Sequence, residues 1–323
     1  MKKLMTSIAL GLAFAAGSVT AQAQNDFPDR PITMLVGFSA GGITDSTARV
    51  LADELGKALG QTVIVENKPG AGGNIASATL ARTEPNGYTI MLASPGQLVV
   101  NPLTQESLGY DPNTKFTLIS LANESPFVMV VPPSSKFSSV EELVQWGKEN
   151  EGQLTFGSPG IGTTMHIGGE MLKVFAGIDA VHVPYRGGAQ SSTDLMAGRV
   201  DFMIDSLGAV SSLIRSNQLK LLAIASAQPM EEFPGVPTLS DSYPGLAVSS
   251  WLGVVAPPNV PDDIVGKLVA GVEQAVKSPA YLQLLEQRGS LPAQVGPQAF
   301  TSHLATERER VQQTVVKAGL KLD

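Results

Sequence analysis

The residues point to an α/β fold in two lobes joined by crossing strands, on three grounds. Short apolar, β-forming runs alternate with helical patterns along most of the 323 residues. A glycine-rich loop leading from a strand into a helix occurs at 37–42, and the same arrangement recurs at 157–164. The apolar runs 127–131 and 248–255 stand where the chain would leave one lobe and return to it. One lobe then comprises residues 24–123 plus 248–323 and the other residues 124–247, with a cleft between them of the kind that holds a small ligand.

The N-terminus stands outside that fold. Lys2 and Lys3, the apolar run 8–16 and the pattern Ala21-Gln22-Ala23 have the form of a secretory leader cleaved after Ala23. The run falls short of the roughly 20 residues a membrane span needs. With 43% hydrophobic residues, the remainder can bury the cores of one large domain or two ordinary ones. There is no cysteine, so an exported chain of this size must be stable without disulfides, which suits a bacterial periplasm. The formal net charge is −7, and −9 once Lys2 and Lys3 leave with the leader. No Lys/Arg cluster remains to neutralise a row of phosphates, which argues against nucleic acid. An anionic ligand would have to be held by local dipoles against the overall field.

Met34-Leu35-Val36 ends the first apolar run, and Gly37-Phe38-Ser39-Ala40-Gly41-Gly42 follows it. Ala48, Leu51, Leu55 and Leu59 recur three or four apart, so they form one face of a helix that Gly60 stops. The first N–H groups of such a helix lack intrahelical partners. At the positive end of the dipole they can hold a carboxylate or phosphate without a cationic side chain. Gly41 and Gly42 have no Cβ to block its approach. A turn that needs glycine for geometry alone is the competing reading. Asp45, in the first helical turn, is by default a cap or dipole partner, and beside a bound carboxylate it could restrict which ligands fit.

Residues 62–66 read as a buried strand, 67–74 as a loop opening a short helix from Ile75, Pro85-Asn86-Gly87 as a turn and 88–93 as the next strand. This alternation indicates a parallel sheet. Ser94-Pro95-Gly96-Gln97 follows a strand's carboxyl end, where open α/β sheets place ligands. After the run 127–131 and Pro132-Pro133, Ser138-Ser139-Val140-Glu141-Glu142 holds two overlapping capping boxes for a helix carrying Leu143 and Trp146. Thr155-Phe156 leads into Gly157-Ser158-Pro159-Gly160-Ile161-Gly162-Thr163-Thr164, which opens a helix with Met165, Gly168, Leu172 and Phe175. Residues 181–185 are a strand, Arg186-Gly187-Gly188-Ala189 a third loop, and 202–204 a strand ending at Asp205. A further strand covers 219–225. Pro261-Asp262-Asp263 starts one tail helix, and Pro297 another that runs toward Ala318. Trp146 and Trp251 are expected in cores.

Several chemical motifs compete for these loops. Gly37-Phe38-Ser39-Ala40-Gly41 fits the G-x-S-x-G elbow of α/β hydrolases, and Asp205 with His303 would supply a triad in the required order. The elbow would however follow the first strand of the mature chain, with no oxyanion segment before it. Residues 157–164 have P-loop spacing, but Thr163 stands where the lysine must be. The dinucleotide fingerprint fails at Met165 and at Ile75. His166 and Glu170 share a helix face without a third metal ligand. His166, in the first turn after its loop, could touch a ligand or simply fix the loop. His182 reads as structural and His303 as a surface residue. Arg186, beside two glycines, is placed to meet a second anionic group, or is a solvated arginine.

Longer runs resemble a known family. Pro31-Ile32-Thr33, Phe38-Ser39-Ala40-Gly41-Gly42 with Asp45 and Ala48-Arg49, and Val65-Glu66-Asn67-Lys68-Pro69-Gly70-Ala71-Gly72-Gly73-Asn74-Ile75 are similar to the periplasmic substrate-binding receptors of tripartite tricarboxylate transporters, the Bug family. Asn86-Gly87-Tyr88, Gly157-Ser158, Gly162-Thr163 with His166, His182-Val183-Pro184-Tyr185-Arg186-Gly187-Gly188-Ala189 and Trp251-Leu252-Gly253 extend the resemblance over essentially the whole mature chain. It implies a two-lobed, type II-like periplasmic binding protein that closes on a ligand carboxylate, held largely by backbone amides and ordered water at the first and second glycine loops. Ser39 stands where the family often has proline and Asp205-Ser206 where Asp-Asn is frequent. Pro159 and Ile161 alter the second loop.

The expectation is a periplasmic solute-binding protein, monomeric, with no cofactor and no metal. It would capture a small di-, tri- or aromatic carboxylate and hand it to the integral-membrane permease subunits of a tripartite tricarboxylate transporter, performing no chemistry. Gly41, Gly42, Gly160, Gly162 and Thr163 would supply backbone or hydroxyl donors to the carboxylate. Ser39, Ala40, Asp45, Gly157, Ser158 and Thr164 complete the two loops, while Phe38, Ser94, His166, Arg186 and Asp205 would shape the rest of the site. A receptor serving a membrane sensor would carry the same site.

Overall fold

The computed structural model describes residues 27–111, 115–185, 187–226 and 228–318. The expected leader with its cleavage after Ala23, and Arg186, lie outside the described residues. The chain runs β1 (Ile32–Val36), α1 (Ile43–Leu59), β2 (Val63–Asn67), α2 (Asn74–Ala81), β3 (Thr89–Ala93), α3 (Asn101–Thr104) and β4 (Thr117–Val131). It continues α4 (Val140–Glu149), β5 (Leu154–Ser158), α5 (Thr164–Ala176), β6 (Ala180–Pro184), α6 (Gly188–Met196), β7 (Met203–Ser206), α7 (Leu207–Arg215), β8 (Lys220–Ile224) and α8 (Leu239–Ser242). It ends β9 (Ser249–Ala256), α9 (Asp262–Val276), α10 (Pro279–Gln287), β10 (Leu291–Pro292) and α11 (Pro297–Ala318). Among the described residues no helix is long and apolar enough to cross a membrane.

The sheet of the first lobe has the order β10-β4-β9-β3-β1-β2. It is mixed, not parallel throughout as the alternation suggested. β1 pairs in parallel with β2 and β3, while β3 with β9, β9 with β4, and β4 with β10 are antiparallel. The reason is the crossing: one strand leaves the lobe and another returns, so they enter the sheet in opposite senses.

β4 is the longest strand, and only its last third was legible as such. Ser120, Asn123, Glu124, Ser125 and Pro126 interrupt its apolar pattern, and its register with β9 shifts between Leu118 and Ser120 and between Leu121 and Asn123. Past Pro126 it pairs with β7 and β8, both antiparallel, to form the sheet of the second lobe. There β5 and β6 pair in parallel, and a bridge from Phe156 to Phe202 ties them to the segment before β7.

β2 also differs from expectation. It lies at the sheet edge with one face covered, so Val63 and Val65 are half-buried while Ile64 is 52% exposed. The capping signal before α4 is realised: Ser139 Oγ accepts from Glu142 N at 3.3 Å, and the Glu142 carboxylate accepts from Ser138 N at 2.6 Å.

Alternation along β1 assigns its faces. Ile32, Met34 and Val36 pack with Ala48, Leu51, Leu55, Leu268, Val272 and Tyr281. Leu35 faces the other way, with Leu80 and Met91, in a core that runs without a break into the second lobe through Leu154, Phe156, Leu172 and Phe202. α11 lies on that continuous core with Phe300 and Val311 and packs against both β4 and α5. A third cluster, Val128, Val130, Leu195, Met203 and Val210, fills the opposite face of the second lobe. Each such fully buried side chain stabilises the fold by about 1.5–3 kcal/mol. Trp251 is in the core as expected, its Nε1 donating to Glu307, and Trp146 is half-buried against Phe137.

Candidate functional site

The first glycine loop spans the end of β1 and the start of α1. Gly37 must be glycine: a Cβ there would stand 2.9 Å from the Gly73 Cα and from Gln97 Nε2. Gly41 takes φ +85°, in the left-handed region open to glycine. Asp45 folds back on the loop, its Oδ2 accepting from Gly41 N at 2.8 Å. Arg49 holds the same carboxylate through Nε–Oδ2 at 3.0 Å and Nη2–Oδ1 at 2.9 Å. Asn67 Nδ2 donates to Asp45 Oδ1 at 2.9 Å and to the Phe38 carbonyl at 3.0 Å. The Arg49 hydrogen bond, with those from Gly41 and Asn67, outweighs burial and holds the Asp45 carboxyl down at about 2.

Asp45 is thus not the cap of α1, whose N-cap is Gly42 with no side-chain hydrogen bond, but a brace on the loop before it. Gly41 N is bonded to it, and Gly42 N makes a long bond of 3.4 Å to the Ser39 carbonyl. Among the described residues, the N–H groups of Ile43, Thr44 and Asp45 at the start of α1 have no acceptor, and on the loop before it those of Ser39 and Ala40 have none either. Ser39, Ala40, Gly41, Gly42 and Ile43 are exposed, and Phe38 is half-buried against the core beneath.

The second loop is bonded more tightly to itself. Ser158 Oγ contacts His182 Nε2 at 2.7 Å, and Gly160 N donates to Ser158 Oγ at 3.2 Å. Thr163 Oγ1 donates to the Gly160 carbonyl at 2.7 Å and, as the cap of α5, accepts from His166 N at 3.2 Å. Gly162 N donates to His166 Nδ1 at 3.1 Å, which puts the ring proton on Nε2. Among the described residues, the open donors at the start of α5 are Thr164 and Met165, and Ile161 N within the loop has no acceptor either. A Cβ on Gly157 would stand 3.3 Å from the Val200 and Met203 side chains, and its N–H donates to the Phe202 carbonyl.

His166 thus fixes its loop. It stacks on His182 with ring centroids 4.0 Å apart, and His182 stacks on Phe156 at 4.8 Å. Burial, aided by the Lys173 charge, lowers His166 to about 4; burial and the neighbouring ring lower His182 to about 4. Glu170 is 3.9 Å from His166 but ion-paired to Lys173 at 3.0 Å, and among the described residues no group of three or more His, Asp or Glu could hold a metal.

Asp205, the penultimate residue of β7, is fully buried. Its carboxylate accepts from Ser206 N at 2.7 Å through Oδ1, whereas Oδ2 has no partner. Burial raises its pKa to about 6. Ser94 closes the end of β3, its N and Oγ both donating to Gln97 Oε1. Pro95, next to it, lines one crevice with Thr164 and Ile167 of α5 and Arg310 of α11, which brings the β3 end of one lobe against the second loop of the other.

His303 is not a surface residue. It sits 18% exposed against Trp251, between Glu124 at 3.7 Å and Glu307 at 3.4 Å. His166 and His182 are bonded within the second lobe, so no described histidine is paired with Ser39. A cavity of about 830 Å³ lined by Glu124, Pro126, Ser249, His303 and Arg310 lies under α11, away from the glycine loops.

Two groups escaped the sequence reading. Arg49 stands four residues after Asp45, a spacing that could have given the ion pair. Arg288, distant in sequence, places its guanidinium on the first two turns of α1, and only the folded chain reveals that.

Two glycine loops thus open α1 and α5, one in each lobe. The model of the tripartite tricarboxylate transporter family receptor matches residues 47–320. The chain belongs to that family. The structure of R. palustris Rpa4515 with adipate is 32% identical, with a TM-score of 0.75 over 92% of this receptor and 99% of that chain. The periplasmic binding protein BugD is 32% identical at a TM-score of 0.71, over 91% and 99%. MatC (Rpa3494) from Rhodopseudomonas palustris with bound malate is 28% identical at 0.72, over 90% and 100%. This receptor shares their two-lobed periplasmic-binding-protein fold.

Proposed function

We propose that this receptor binds a small carboxylate in the cleft between its lobes and passes it to the membrane permease of a tripartite tricarboxylate transporter. One observation carries the reading: the N–H groups of Ile43, Thr44 and Asp45 open the 17-residue α1 without acceptors, on a loop braced by Asp45. An anion there gains three oriented donors and the positive end of the dipole. The brace does not compete for that place, because Asp45 is neutralised by Arg49. Thr164 and Met165 offer a second, smaller set at the start of α5. Adipate in Rpa4515 and malate in MatC favour a dicarboxylate.

In this reading residues 24–123 plus 248–323 move against residues 124–247, and the loop residues 38–42, Ser94, residues 157–164, His166, Arg186 and Asp205 border the ligand. The receptor acts as a periplasmic monomer released from its leader after Ala23. The leader-like N-terminus and the periplasmic relative BugD support that location. A thermal-shift panel of acetate, succinate, adipate, malate, citrate and benzoate tests the proposal. A ligand at 100 times its Kd adds about 2.7 kcal/mol to the folded state. At least one dicarboxylate should raise the midpoint by several degrees. A flat response at millimolar concentrations across the panel would refute it.

A further inference from the structure

Arg288 follows the last turn of α10 and touches both lobes at their helix starts. Its Nη1 donates to the Ile43 carbonyl at 3.0 Å and to Thr47 Oγ1, and its Nη2 donates to Ser46 Oγ at 2.6 Å. All three acceptors are neutral and lie on the opening turns of α1. The planar fork fixes the guanidinium on that turn as a flexible ammonium could not.

Its main chain faces the other way. The Arg288 carbonyl packs on Gly208, the second residue of α7, so closely that a Cβ at 208 would stand 2.1 Å from the oxygen and 3.1 Å from the carbonyl carbon. Gly289 turns at φ +58°, and a Cβ on it would lie 3.5 Å from Gly208 N. Gly208 comes three residues after Asp205, whose Oδ2 is buried without a partner. Close by, Ser290 Oγ meets Ser125 Oγ of β4 at 2.9 Å, where that strand passes between lobes.

We infer that Arg288 is a positioning residue that couples the carboxylate loop of the first lobe to the β7–α7 junction of the second. The inference rests on the carboxylate reading above. A cation beside the positive end of α1 is unfavourable while that end is empty and favourable once an anion occupies it. The bound and empty states therefore pull differently on Arg288, and its carbonyl carries the difference to Gly208. A ligand moves a conformational equilibrium only through such differential contacts.

The chain has no cysteine, so Gln274→Cys on α9 and Lys148→Cys on α4, both exposed, give a specific pair of spin labels across the lobes. The interlobe distance is then read by pulsed electron resonance with and without adipate. Gly208→Ala should shift the distance in ligand-free protein, since the added methyl has no room. Arg288→Gln and Arg288→Lys should weaken adipate about tenfold and shrink the distance change at saturating adipate, beyond the lowered midpoint that loss of the hydrogen bonds to α1 brings by itself. A purely structural arginine would lower the midpoint and leave the saturated distance unchanged. That result would overturn the coupling, as would an unshifted Gly208→Ala distribution. If the wild-type pair responds to neither adipate nor malate, the carboxylate reading fails by itself. The ligand-free comparison of Gly208→Ala and Arg288→Gln with wild type still decides the coupling, and identical distributions would overturn it.

Discussion

Asp45 and Arg49 stand one helical turn apart, and the guanidinium grips both oxygens of the carboxylate, at 2.9 and 3.0 Å. With Asn67 they form a closed triangle, because Arg49 Nη2 also donates to Asn67 Oδ1 at 3.2 Å. The first glycine loop is held by a buried carboxylate whose arginine partner reaches solvent.

Asp45→Asn should therefore cost stability with a pH signature. An acid whose folded pKa lies near 2, against 3.8 when free, adds stability above 3.8 and loses it as pH falls through 2. Arg49 is half exposed, which discounts the pair, so about 1–2 kcal/mol is expected at pH 7. Urea unfolding of wild type and variant should show that gap at pH 7 and a narrower one at pH 3.

The stacked histidines act in the same direction at higher pH. His166 and His182 stay neutral to about 4 when folded but take a proton near 6.5 when unfolded, so the unfolded chain binds more protons between those values. Stability is complete above 6.5 and declines as pH falls toward 4, by on the order of 1–3 kcal/mol for the pair. Their imidazole resonances should not titrate between pH 8 and 5, and His182→Gln should flatten the slope of unfolding free energy against pH.

Asp205 runs the opposite way. Its folded pKa near 6 exceeds the free value, so the native state binds more protons between about 4 and 6, and the group costs stability above that window. Asp205→Asn keeps the acceptor for Ser206 N and removes the buried charge. It should raise stability by about 1–3 kcal/mol at pH 7.5 and by almost nothing at pH 4.5, measured as unfolding midpoints. A variant less stable than wild type at pH 7.5 would mean that the ionised carboxylate has a partner.

Two helical glycines should respond with opposite signs to alanine. Gly266, exposed on α9 with nothing within 4 Å of a new Cβ, should gain about 0.5–1 kcal/mol as Gly266→Ala. Gly169→Ala on α5 would put its methyl 2.1 Å from the Phe156 ring, on which His166 and His182 also rest. It should lose about 1–3 kcal/mol by overpacking. Thermal unfolding of the two variants side by side reads both effects.

How far the residues alone reached depends on whether the signal was local. The glycine loops, the capping before α4, the helix of Ala48, Leu51, Leu55 and Leu59, and the return strand, read at 248–255 and found at 249–256, all follow from short-range pattern, and all are present. Antiparallel entry of β4 and β9 was not legible, because sheet order depends on partners far apart in the chain. The polar middle of β4 hid two thirds of that strand, since Ser120 and Asn123 spend their side chains on the Gly296 amide and the Tyr281 hydroxyl, both from the C-terminal quarter. At the candidate site the two glycine loops follow from local pattern, whereas the bonds that Gly41 N and Gly42 N make within the first loop do not. Glycine marks where the backbone turns, but not which of the turn's N–H groups the fold then pairs. Arg288 carried no local mark.

The unbroken core beneath α11 joins Leu35 and Leu80 of one lobe to Leu154 and Leu172 of the other. Heat cannot melt one half and spare its neighbour without exposing that shared interior, so calorimetry should register one endotherm. The molecule keeps or forfeits its structure as a unit.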